Sequence, residues 1–158
     1  MTSPIRILDS AFLDRLSAAA AAVPRRRKNY NLHAASDYPC HRFFNAMCAN
    51  TYVPPHRHRD PRKDETVVVL RGRLGVVIFD AAGTVATAAA VRPGAIVDVP
   101  HDTYHSWCAL EDGTIIFEAK SGPYLPLAPE EKGTFAPPEG DPRAPAYLAW
   151  LKSLCTEQ

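Results

Sequence analysis

Pro55-His56-Arg57-His58, followed by Glu65 and Gly72 and answered by His105, is the stretch on which the reading of this chain turns. Two histidines one residue apart on an extended segment project to the same side, because side chains along a strand alternate faces. Glu65 adds a carboxylate after a short loop, and His105 adds a third imidazole. His56, His58, Glu65 and His105 make a four-ligand set of nitrogen and oxygen donors suited to one divalent transition metal. An H-x-H pair alone carries little. The register around it carries more: Glu65 lies seven positions before Gly72, Gly94 lies six before Pro100, and His105 follows Asp102 by three.

Working outward, residues 38 to 120 read as short strands separated by turns. Arg42 to Cys48 and Thr51 to Val53 are strand candidates. Thr66 to Arg71 is almost continuous valine and leucine, as in a buried strand, and Gly72 ends it. Leu74 to Phe79 precedes the turn Asp80-Ala81-Ala82-Gly83. Thr84 to Val91 runs to Arg92-Pro93-Gly94, and Ala95 to Val99 stops at Pro100. Tyr104 to Leu110 and Thr114 to Lys120 flank Glu111-Asp112-Gly113, a hairpin signal. About eight such strands, with no alternation of strand and helix, predict an all-β sandwich or jelly-roll barrel.

Two helices flank this core. Residues 9–23 carry Phe12, Leu13, Leu16, Ala20 and Val23 on one helical face, with Asp9 or Ser10 as cap and Pro24 as stop. Residues 121–143 hold Pro123, Pro126, Pro129, Pro137, Pro138 and Pro142 and read as an irregular wrap. Residues 144–155 read as a second helix, with Tyr147, Leu148, Leu151 and Leu154 on one face. The 158 residues therefore predict a single domain.

The formal net charge of +1 provides no field to recruit nucleic acid, and Arg25-Arg26-Arg27-Lys28 reads as a solvated linker. Cys40, Cys48, Cys108 and Cys155 form no C-x-x-C and no scaffold spacing, which predicts reduced thiols. No run approaches a membrane span, and Asp9, Asp14 and Arg15 interrupt the N-terminal apolar stretch where a signal peptide would be uncharged. A cytoplasmic protein with no membrane partner is the expectation.

The two spaced groups resemble the paired motifs of the cupin superfamily: H-x-H, a gap, E, six residues, G; then G, five residues, P, and a later H. The gap from His58 to Glu65 is six residues, and Asp102 stands where glycine is usual. Asp60 and Asp64 are rival carboxylates, but only Glu65 opens the buried run. A closer resemblance is to the WbuC-type cupin-fold metalloproteins. It rests on Tyr52-Val53-Pro54-Pro55-His56-Arg57-His58, Phe79-Asp80 with Gly83, Phe117 to Tyr124 and Phe135-Ala136-Pro137. Asn31, His33, Arg42 and Asn45 fit it as well. The resemblance implies a cupin double-stranded β-helix with one bound metal and an association with bacterial surface-polysaccharide genes. It also implies a homodimer. Iron, manganese, zinc and nickel all remain open as the ion.

Parity nominates the pocket. Tyr52 shares parity with His56, Arg71 with Glu65 and Trp107 with His105, so each is a candidate substrate contact. Glu118 and Lys120 share a face on the last strand. If that face is the inner one, they are the acid–base candidates; if it is the outer one, they are an exposed pair. His33 and His41 read as structural, and His101 as a rim residue. No serine or cysteine stands in a nucleophile setting, and no glycine-rich phosphate loop is present. Three functions fit: a metal-dependent isomerase or epimerase acting on a small polar metabolite such as a sugar derivative, an iron-dependent dioxygenase, or a non-catalytic metal- or ligand-binding module.

Overall fold

The first helix starts where a side chain stops its amides from going unpaired. In the computed structural model, which describes residues 5–155, the Asp9 carboxylate accepts a 3.0 Å hydrogen bond from the Phe12 amide and caps α1 (Ser10–Ala22). The buried face of α1, Phe12, Leu16 and Ala20, packs on Phe44, Ala46 and Ile115.

Eight strands follow: β1 (Arg27–Asn31), β2 (Cys40–Met47), β3 (Glu65–Arg71), β4 (Leu74–Phe79), β5 (Val85–Val91), β6 (Ile96–Val99), β7 (Tyr104–Ala109) and β8 (Thr114–Ser121). They form two antiparallel sheets, β1-β2-β8-β3-β6 and β5-β4-β7. The wrap contributes one turn of 3-10 helix at Pro129–Glu131, and α2 (Ala144–Leu154) closes the chain. Among the described residues no helix is long and apolar enough to cross a membrane.

Alternation along each strand divides the core into three parts. On the five-stranded sheet, Phe44, Ala46 and Ile115 face outward beneath α1. Between the sheets lie Met47, Val67, Val69, Leu74, Val76, Val99, Trp107, Ala109 and Ile116. Outside the three-stranded sheet, Val77, Phe79, Tyr104 and Cys108 pack under Leu148 and Leu151 of α2. Gly72 makes the β3–β4 turn possible. Its φ is +74°, and a Cβ there would lie 2.7 Å from the Thr114 backbone.

Register then decides what faces the interior near the site. Directly paired residues of an antiparallel ladder share a face. Lys120 pairs with both His41 and Glu65, and Glu118 pairs with both Phe43 and Val67. Val67 is an interior residue, so Glu65, Glu118 and Lys120 all point between the sheets.

Two expectations need correction. The basic run was expected to be a linker, but Arg27–Asn31 forms strand β1 on the edge of the larger sheet. Arg27 is held there by bonds to the Thr51 hydroxyl and the Tyr52 carbonyl and by Glu139, partners that no local pattern announces. Thr51 to Val53 is not a strand. Thr51 is tied instead to the Arg25 carbonyl and to Arg27, which takes the segment off the ladder.

Candidate metal centre

His105 is the second residue of β7, and its inward parity brings the ring beside Trp107 at 5.1 Å between centroids. Its Nδ1 lies 2.9 Å from the Thr103 carbonyl. A carbonyl only accepts, so Nδ1 carries the proton and Nε2 is the bare acceptor. His56 is placed the same way: its Nδ1 donates to the Pro54 carbonyl at 3.0 Å. The His56 backbone exchanges hydrogen bonds with that of His105 at 3.0 and 2.9 Å, while Arg57 N donates to the Glu131 carbonyl. The histidine string is thus an extended segment pinned between β7 and the wrap, bridged at His56 alone and not part of a regular strand.

Glu65 opens β3 and is 1% exposed. The Trp107 indole donates to its Oε1 at 3.2 Å, and the Lys120 ammonium donates to its Oε2 at 3.2 Å. Burial pushes the Glu65 carboxyl up, but the Lys120 charge and the His58 hydrogen bond outweigh it and hold the group well below the carboxylate range. Burial likewise drives His56 down to about 3, and His105 down as well, keeping both imidazoles neutral.

One ligand atom from each of His56, Glu65 and His105 lies within 4.8 Å of the others. His105 Nε2 is buried and has no hydrogen-bond partner among the described residues. An unpaired buried acceptor is costly, and a cation would satisfy it. Two neutral imidazoles with anchored Nδ1 atoms and one ionised carboxylate form a donor set that fits a divalent ion, complete with the outer hydrogen bonds such ligands need.

The fourth sequence candidate differs. His58 Nε2 is bonded to Glu65 Oε2 at 3.1 Å and lies 3.4 Å from the Lys120 ammonium, outside the convergent three. The rival carboxylates sit at the surface. Asp60 binds Arg62, and Asp64 accepts from His101. Glu118 and Lys120 lie inside, beside Glu65. Lys120 Nζ is 2.6 Å from Glu118 Oε1. Burial pushes Glu118 up to about 8, aided by repulsion from Glu65 and opposed by Lys120. Burial lowers Lys120, but Glu118 and Glu65 hold it above its ordinary value. At the mouth, His58 and Lys120 keep 13% and 18% of their side chains exposed, whereas Glu65 keeps 2%.

Two pocket expectations fail. Tyr52 does not enter the barrel: it is buried under α2, donating its hydroxyl to the Pro137 carbonyl at 2.8 Å and packing on Tyr147. Arg71 turns outward to Asp14 of α1 at 2.6 Å. A register shift between Val69 and Arg71 breaks the parity with Glu65 on which its nomination rested. Trp107 is in the site, but its indole is engaged with Glu65. Arg57, which the sequence reading passed over, anchors the string. It binds Asp102 at 3.2 Å and the Glu130 carbonyl at 3.2 and 3.1 Å, and stacks 4.4 Å over the Tyr104 ring. Its place between the two histidines, with opposite parity, was the available signal.

The family described as a domain of unknown function (DUF6016) matches residues 8–91, just over half of the sequence. The chain belongs to that family. The matched span holds His56, His58 and Glu65, while His105, Glu118 and Lys120 lie beyond it. No curated protein matches by sequence. Solved structures similar in fold include KdgF from Halomonas sp., 20% identical with a TM-score of 0.51 over 66% of this chain and 85% of that one. A conserved protein of unknown function from Streptococcus pyogenes is 14% identical, with a TM-score of 0.55 over 78% of this chain and 93% of that one. An RmlC-like cupin from Desulfovibrio desulfuricans is 17% identical, with a TM-score of 0.52 over 77% and 97%. This DUF6016 chain therefore has the cupin jelly-roll fold with flanking helices, and its His-His-Glu cluster is a candidate metal centre.

Proposed function

We propose that this protein is a metal-dependent enzyme that moves a proton on a small hydroxy-carbonyl metabolite, in the manner of an isomerase or epimerase. The observation that carries the reading is the buried Glu118–Lys120 pair, 2.6 Å apart and within bonding distance of a candidate ligand. A buried carboxyl–ammonium contact of this kind adds little to stability over well-packed apolar residues, so its presence beside Glu65 favours a chemical role. His56, Glu65 and His105, with His58 next to them, would hold a divalent ion, which would supply Lewis acidity toward a carbonyl or hydroxyl oxygen.

Glu118, with a pKa of about 8, holds or takes a proton near neutral pH. Lys120 offers an ammonium donor to a developing negative charge at the mouth, where substrate enters past His58. Trp107 and Lys120 keep Glu65 oriented and ionised. The test is deuterium exchange from solvent into hydroxy-carbonyl sugars and sugar acids, followed by NMR with metal-loaded protein. Exchange is expected in the wild type and is reduced by about 10²–10⁴-fold in Glu118→Gln with metal retained. No exchange across the panel overturns the proposal.

A second reading rests on the convergence of two imidazoles and one carboxylate, a donor set shared with non-haem iron oxygenases. Substrate-dependent oxygen uptake by iron-loaded protein would select it. We further propose a WbuC-type subfamily membership and a link to surface-polysaccharide metabolism, supported by the Tyr52–His58 and Phe117–Tyr124 strings, which places sugars first in the panel. A cytoplasmic homodimer with a small-molecule ligand and no nucleic-acid partner completes the proposal; sedimentation of the purified protein tests the dimer.

A further inference from the structure

On the face of β7 opposite the metal centre, two thiols face one another. Cys108 lies on the outer face of β7, one residue after Trp107, and Cys155 is the C-cap of α2. Their sulfur atoms are 3.9 Å apart, and both residues are buried. The space is kept for sulfur. A Cβ at Gly75 would lie 2.4 Å from Cys108 Sγ and 2.7 Å from Cys155 Sγ, so only glycine fits opposite the pair. We propose that Cys108 and Cys155 are an oxidation site that closes to an intramolecular disulfide when the protein meets a hydroperoxide.

The geometry assigns different parts to the two residues. Cys108 is fixed within a six-residue strand. Cys155 follows the last residue of the helix and has left helical geometry, with φ −87° and ψ 79°. A disulfide needs about 2.05 Å between sulfurs, so the adjustment falls on Cys155. The Cys155 thiol now points at the Leu151 carbonyl at 3.4 Å. Cys155 keeps 7% of its surface exposed and Cys108 none, so a peroxide reaches Cys155 first and makes it the attacking sulfur. In the first step the Cys155 thiolate attacks one peroxide oxygen, the O–O bond breaks, and a sulfenic acid forms with release of water from hydrogen peroxide. In the second step the Cys108 sulfur attacks the sulfenic sulfur, the S–O bond breaks, and a second water leaves with the thiol proton. Two thiols are oxidised and one peroxide is reduced. The product ties α2 to the strand that carries His105 and Trp107.

The test treats the purified protein with hydrogen peroxide and reads intact mass, peptide mapping and thermal melting. The expected product is 2 Da lighter, yields a peptide linking Cys108 to Cys155, and melts roughly 5–15 °C higher. Dithiothreitol reverses all three changes, and Cys155→Ser abolishes them. Exposed Cys40 is the internal control. If peroxide adds oxygen or dimerises the protein through Cys40 while Cys108 and Cys155 remain alkylatable after unfolding, the proposal is overturned. Should Cys155→Ser fail to fold, that mapping in the wild type decides alone.

Discussion

The two ends of the barrel interior use the same strands and the same inward parity for opposite purposes. At the closed end β3, β4, β7 and β8 contribute Val69, Leu74, Ala109 and Ile116, all at most 1% exposed and all apolar. A few residues further along, β3, β7 and β8 contribute Glu65, His105, Glu118 and Lys120. The closed end gains free energy from burial. The open end holds ionised and unpaired polar atoms out of water, which costs free energy unless something binds there. Stability and chemistry are therefore separable along the barrel axis, and substitutions at the two ends should move different observables.

The largest expected effect is at the open end. His105→Ala removes the ligand whose Nε2 has no hydrogen-bond partner among the described residues. Divalent-metal affinity should fall by more than about 100-fold in a titration with a competing chelator. Thermal stability of the metal-stripped protein should change far less than metal affinity, because removal of an unpaired buried acceptor offsets part of the cost of the lost ring packing and Thr103 bond. A variant that binds metal as tightly as the wild type breaks the assignment of His105.

Leu74→Ala is the mirror experiment. Leu74 is fully buried between the sheets, paired with Ala109 and Val91. The truncation leaves a cavity and should cost about 2–5 kcal/mol in denaturant unfolding. Metal affinity of the folded protein should change less than threefold. A parallel loss of affinity would mean that the two ends are one cooperative unit.

The closed end was the easier to read. Its strands show as unbroken valine and leucine ended by Gly72, and β4 begins and ends where the pattern puts it, at Leu74 and Phe79. Of the open end, the residue types and spacing of His56, Glu65 and His105 were readable, and the structure brings those three together. What parity could not supply was partner choice. Tyr52 and Arg71 have the right alternation, yet a distant carbonyl claims one and a bulge turns the other. The position of Glu118 and Lys120 was open in the sequence because alternation leaves the choice of inner or outer face undecided. The pairing of Glu118 with interior Val67 decides it. The edge strand β1 was hidden for the same reason: its Arg27, and Arg25 just before it, pair with Glu139, more than a hundred residues away.

The ionisable groups of the open end give the metal-free protein a two-sided pH profile. His56 titrates at 6.5 in the unfolded chain and about 3 in the fold. A depressed pKa contributes stability above 6.5 that is lost as pH falls toward 3. His105 and Glu65 are also depressed and act in the same direction. Glu118 is raised from 4.5 to about 8, so its contribution is present below 4.5 and lost as pH rises through 8. The curve should peak near pH 6.5 and decline on both sides. Glu118→Gln should flatten the alkaline arm and steepen the rise between pH 4.5 and 6.5 in melts of chelator-treated protein between pH 3 and 9. An alkaline decline as steep in Glu118→Gln as in the wild type would remove Glu118 as its source.

The smallest effect belongs to a residue at neither end. Arg71 reaches out of the barrel to Asp14 on α1, and both side chains stay substantially exposed, at 35% and 68%. An exposed ion pair gains little, since water screens the charges and two flexible chains are immobilised. Arg71→Ala should therefore lower stability by less than about 1 kcal/mol and leave metal affinity and substrate exchange unchanged. Its parity alone nominates it for the cavity, which makes it a sharp control. If Arg71→Ala abolished ligand binding while the fold and metal affinity survived, the guanidinium would have to swing from Asp14 into the cavity, and the inward and outward assignment of this end of β3 would be wrong.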